Sequence, residues 1–139
     1  MVNRNVLSGK IAFIQRSLDR LNQRKGVKLA LLQENLDIHD IVMHNLQLAI
    51  QGCIDIANHI ISDNSWEVPG TQAEAFRVLN QHKVITPKTS EFMRRMVGLR
   101  NIIIHEYQRV DMAIVHKILT KELNSLNRYL KEIIKFSGL

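Results

Sequence analysis

The chain is poor in the residues that cross-link a fold or anchor it in a membrane. Cys53 is the single cysteine in 139 residues, which excludes an internal disulfide and any multi-cysteine metal site. No apolar run approaches the roughly 20 residues that a membrane span requires, so neither a spanning helix nor a membrane partner is expected. The opening Met1-Val2-Asn3-Arg4-Asn5 lacks the continuous apolar core and small-residue cleavage site of a secretory signal, and the expected location is the cytoplasm. Aromatic residues make up 5% of the chain, leaving few rings to stack on bases. There is no glycine-rich phosphate loop, no internal repeat, no low-complexity tract and no alternating strand pattern.

What is present has the balance of a soluble globular protein, 45% hydrophobic and 23% charged, and the length suits one domain over residues 1–139. The net charge of +6 favours encounter with a polyanion such as RNA. Its charges are spread out, with short clusters at Arg94-Arg95 and from Arg16 to Arg24, so a solvated surface explains most of them equally well.

Apolar residues recur at helical spacing through most of the chain. Leu7, Ile11, Ile14, Leu18 and Leu21 alternate steps of four and three, a one-stripe helix whose intervening Arg16, Ser17, Asp19 and Arg20 read as a solvent face and which Gly26 ends. Val42, Leu46, Ala49, Cys53, Ala57 and Ile60 mark a second helix from about Asp37 to Ile61, with Cys53 a small buried hydrophobe on its stripe. His44, Leu48, Gln51, Asp55 and His59 follow a different track on that helix. This track is either solvent or the wall of a second interface or site, and Asp55 and His59, at i and i+4, are also placed to pair locally.

After a turn at Trp66 to Gly70, Thr71-Gln72-Ala73-Glu74 reads as a capping box opening a short helix to about Gln81. Pro87, with a hydroxyl from Thr89 or Ser90 as cap, opens a helix with the face Phe92, Met96, Leu99 and Ile103. Asp111 caps a final helix buried along Val115, Leu119, Leu123, Leu126, Leu130 and Ile133. The expected fold is all-α, an antiparallel bundle of four long helices plus one short helix.

The chemistry concentrates in Arg100-Asn101-Ile102-Ile103-Ile104-His105-Glu106-Tyr107. A guanidinium, an amide, an imidazole and a phenol there supply phosphate binding, hydrogen bonding, proton transfer and a modifiable hydroxyl. On a regular helix Arg100 and Tyr107 fall within about 20° of each other, whereas Arg100 and His105 diverge by roughly 140°. Either the helix breaks near His105 or a second chain brings its own copy alongside, and an isologous dimer with a composite site is the favoured solution. His39, His44, His59, His82 and His116 show no pairing with carboxylates that suggests a metal site, and they read as structural or surface residues.

The spacing Arg100, Asn101, His105, Tyr107 resembles the motif of the HEPN ribonuclease toxins of HepT type: an arginine, four residues with a polar one first, a histidine, one residue, a tyrosine. Asn45-Leu46-Gln47, Asp55-Ile56-Ala57-Asn58-His59 and Met96-Val97-Gly98-Leu99 also resemble that family's flanking segments, and the likeness covers nearly the whole chain. The resemblance implies an endoribonuclease toxin of a type II/VII-like toxin-antitoxin system that dimerises with its motifs facing a cleft and cleaves RNA without a metal or other cofactor. It implies Arg100, Asn101 and His105 as the catalytic residues. It also implies a cognate minimal nucleotidyltransferase antitoxin that binds ATP and transfers AMP onto Tyr107. Other readings are a non-catalytic helical subunit that delivers substrate to a nucleotidyltransferase, and a scaffold without partner chemistry.

Overall fold

In a computed structural model that describes residues 3–139, every regular element is helical. The order is α1 (Arg4–Asn22), α2 (Leu29–Glu34), α3 (Leu36–Asp63), α4 (Gln72–Gln81) and α5 (Pro87–His105), followed by a single 3-10 turn (Tyr107–Arg109). Helix α6 (Met112–Lys117) then runs through a π-helical segment (Ile118–Glu122) into α7 (Leu123–Ser137). The expected all-α bundle is borne out: α1, α3, α5 and the α6 to α7 rod are its long members, α4 is the expected short helix, and α2 is a second short one. The reading of Met1-Val2 as free of a signal lies outside the described residues.

Helix α3 is the centre. Its expected stripe is buried throughout, and so are Met43, Ile50, Ile54, Ile56 and Ile61 on other faces, as suits a helix with neighbours on several sides. Helix α1 lies so close to it that a Cβ on Gly52 would stand 2.5 Å from Ile14 Cγ1, so glycine is what lets these two backbones approach. Across the core, Tyr129 of α7 packs edge-on against Phe76 of α4 and donates its hydroxyl to the Cys53 carbonyl at 2.9 Å. Cys53 is fully buried, and burial pushes its thiol well above the ordinary range.

Several local expectations need correction. Helix α1 ends at Asn22 rather than at Gly26, with Gln23 as its C-cap closing the last turn through its N–H to the Asp19 carbonyl. Ser17 is buried, not on the solvent face; it sits about 60° from Ile14, at the edge of the stripe where α3 covers it. The short α2 was not anticipated, since six residues with Leu32 alone buried carry no periodicity. Thr86, not Thr89 or Ser90, caps α5 by accepting the Thr89 N–H at 3.2 Å. Glu132 of α7 reinforces that start, taking the Thr86 N–H at 2.6 Å and the Thr89 hydroxyl, a carboxylate placed where a helix dipole favours it.

The π segment follows from spacing. Val115, Leu119 and Leu123 are separated by two successive steps of four, which on a regular α-helix rotate the stripe by about 80°. One wider turn absorbs the excess and returns Leu123, Leu126, Leu130 and Ile133 to the core side. The Thr120 hydroxyl donates to the His116 carbonyl at 2.8 Å within that turn.

Candidate functional site

Helix α5 carries Arg100, Asn101 and His105 because its apolar face, Phe92, Met96, Leu99 and Ile103, is buried against the bundle. Arg100 is half-buried. Its Nη1 donates to Gln72 Oε1 on the first turn of α4 at 3.2 Å and to Asn101 Oδ1 at 3.1 Å. Its Nε is buried with no hydrogen-bond partner among the described residues, a donor whose isolation costs about 1–3 kcal/mol. Asn101 is exposed and spends its amide oxygen on the guanidinium. His105 is the last residue of α5 and lies open to solvent.

The helix does break where the sequence suggested, at Glu106 with φ −141° and ψ 49°. The break comes after His105, so Arg100 and His105 still share one regular helix, about 140° and roughly 7.5 Å of rise apart. Within one chain they do not converge. The same break removes Tyr107 from the helical stripe of Arg100, where the sequence had placed it.

Tyr107 instead swings onto the first turns of α3. Its hydroxyl lies 3.3 Å from Asp40 Oδ1, to which it donates, and 3.3 Å from His39 Nδ1. His39 Nδ1 is in turn 3.2 Å from Asp40 Oδ1, and the imidazole meets the phenol ring edge-on at 5.8 Å between centroids. Partial burial first, then the Asp40 charge and hydrogen bond, hold the Tyr107 phenol above its ordinary range. His39, Asp40 and Gln72 are the site residues that sequence reasoning missed. No local signal marks them, because Asp40 and Tyr107 stand 67 positions apart.

Asp55 and His59 do not join this cluster. By the helical rise of 1.5 Å per residue they sit roughly 22 and 28 Å along α3 from Asp40, so in one chain they do not wall the motif. Nor do they pair with each other: Asp55 accepts from Gln51 Nε2 at 2.9 Å, and His59 Nε2 lies 3.2 Å from Asp63 Oδ2. Their track is only partly open to solvent: His44 and Asp55 are exposed, whereas Leu48, Gln51 and His59 are half-buried. The remaining histidines include structural ones, since His116 Nε2 donates to the Val27 carbonyl at 2.8 Å and His82 stacks on Trp66 at 3.8 Å. Among the described residues no three His, Cys, Asp or Glu side chains are grouped to hold a metal ion, and no helix is long and apolar enough to cross a membrane.

A protein-family model described as ribonuclease HepT-like matches residues 14–133, which include the whole motif. The chain belongs to this HepT-like family. It is 33% identical over 131 residues to the mRNA nuclease HepT of Shewanella oneidensis, covering 94% of this chain and 97% of that protein. It is also 28% identical over 128 residues to the tRNA nuclease HepT of Aphanizomenon flos-aquae, covering 92% and 87%. Among solved structures it is similar to the tri-AMPylated Shewanella oneidensis HEPN toxin in complex with MNT antitoxin. That likeness has 31% identity and a TM-score of 0.87 over 96% of this chain and 99% of the toxin. The HepT-like resemblance of the motif thus extends to family and fold together.

Proposed function

We propose that this protein is the toxin of a toxin-antitoxin pair, a cytoplasmic endoribonuclease whose site is completed by a second copy of the chain. The observation that carries this reading is the placement of Arg100 and His105 on one helix but on different faces, with the imidazole open at the helix end. Across a two-fold axis the divergence is resolved, because each chain offers its own copy of both groups to a shared cleft. The motif segment also exposes Ile102, Ile104 and Tyr107, each at least 39% accessible, an apolar border suited to covering by another chain.

In that cleft one His105 takes the proton of a ribose 2′-hydroxyl as its oxygen attacks the adjacent phosphorus. The symmetry-related His105 protonates the departing 5′-oxygen. Each proton transfer is worth about 10² to 10⁴ in rate. Arg100, steadied by Gln72 and Asn101, presents its remaining N–H groups to the phosphate oxygens. The residues supply acid, base and charge stabilisation themselves, so no metal is required.

Control acts at Tyr107. The cognate minimal nucleotidyltransferase transfers AMP from ATP to its hydroxyl, and the bulky anion then fills the approach to the cleft and repels RNA. The similar Shewanella toxin, AMPylated and bound to its MNT antitoxin, supports this reading.

Arg100→Ala and His105→Ala should each lower RNA cleavage by at least about 10²-fold, with the dimer intact by light scattering and wild-type cleavage persisting in chelator. Cleavage surviving His105→Ala would overturn the catalytic assignment and leave a non-catalytic binding subunit as the better reading.

A further inference from the structure

The first turns of α3 place a carboxylate against the hydroxyl that is to be modified. We propose that Asp40, oriented by His39, accepts the phenolic proton of Tyr107 when that residue receives AMP. The inference rests on the reading of Tyr107 as the acceptor.

The Tyr107 oxygen attacks the α-phosphorus of ATP, and the new oxygen–phosphorus bond forms as the bond from the α-phosphorus to the bridging oxygen breaks. Pyrophosphate leaves with the electron pair, and the phenolic proton passes to Asp40 Oδ1. A neutral phenol is a weak nucleophile, so the proton must depart as the bond forms. Asp40 Oδ1 is already on the proton's path at 3.3 Å, and His39 Nδ1 holds that carboxylate from 3.2 Å.

Two features separate this arrangement from a structural contact. The Tyr107 hydroxyl can be reached, because the residue is 45% exposed, and the Asp40 side chain is 70% exposed and can return its proton to solvent. A hydrogen bond so open to water adds little to stability. Partial burial, with the Asp40 charge beside it, raises the phenol above its ordinary range, so the ionised nucleophile is not present beforehand and a proton acceptor at the moment of attack is needed.

The test uses the full chain, the cognate nucleotidyltransferase, ATP and magnesium, reading AMP incorporation by intact mass and initial rates over a range of toxin concentrations. Asp40→Asn should lower kcat for AMP transfer by at least about 10²-fold, with KM for the toxin within a few-fold of wild type. Asp40→Glu should recover part of the rate, and His39→Gln should lower it by less. Asp40→Asn should keep the wild-type thermal midpoint within a few degrees, which verifies its folding. Transfer to Asp40→Asn at the wild-type kcat overturns the proposal, as does a change confined to KM, which would make Asp40 a docking contact. Tyr107→Phe separates the two readings. Label that persists on it removes Tyr107 as the acceptor, whereas no label on it with full label on Asp40→Asn rejects only the role of Asp40.

Discussion

At the scale of single residues, Tyr129 shows how a polar tip is accommodated in the core. It is the largest of the fully buried side chains, and its hydroxyl reaches the Cys53 carbonyl one helix away. Burial and the neighbouring Cys53 both push its phenol up, so the group serves the fold only as a neutral donor. Tyr129→Phe keeps the packing and removes one buried hydrogen bond. It should lower unfolding free energy by about 1 kcal/mol in urea titration, with RNA cleavage unchanged. Tyr107, in contrast, is 45% exposed with its hydroxyl at the solvent edge, which suits its proposed role as the acceptor of AMP.

At the scale of elements, the contact of α1 with α3 is set by the absent side chain at Gly52. Alanine there gains up to about 1 kcal/mol in helix propensity. Its Cβ, however, would fall 2.5 Å from Ile14 Cγ1, a branch close to the α1 backbone and not a free end. Overpacking of this kind costs about 1–3 kcal/mol, so Gly52→Ala should be destabilising on balance and lower the thermal midpoint. An unchanged or higher midpoint would mean that α1 shifts freely, contrary to the packing of Leu7, Ile14 and Leu21. The end of α5 is governed by the same kind of local choice. Three consecutive isoleucines precede His105, and the chain leaves the helix at Glu106, turning Tyr107 onto α3.

At the scale of the whole molecule, three acidic protons favour the fold in one direction of pH. Cys53, Tyr129 and Tyr107 are all raised, the first two by complete burial and the third by partial burial beside Asp40. Each is therefore neutral in the native state when its unfolded counterpart, at ordinary values of 9.0 for the thiol and 10.0 for the phenols, begins to ionise. The unfolded chain then binds fewer protons, and stability falls as pH rises. Thermal midpoints should hold near pH 8 and decline from about pH 9 upward. Cys53→Ala should remove the earliest part of that decline, and a flat profile to pH 11 would contradict the assignment.

The sequence by itself determined the helices and their buried stripes, because a spacing of three and four is a property of the helix and needs no neighbours. It also determined the motif, whose four groups lie within eight positions, and the caps at Thr71 and Asp111, which act within a single turn. It did not reveal the burial of Ser17, the π turn in the last helix, or the breadth of the buried surface of α3. These depend on which other helices are adjacent. Nor did it reveal Gln72 on Arg100, or His39 and Asp40 on Tyr107, since those pairs are 28, 68 and 67 positions apart and are joined only by packing. Tertiary structure decided the direction in which each motif side chain points. A polar contact between distant segments leaves no periodicity in the chain, and it exists only once the apolar faces beneath it have been buried.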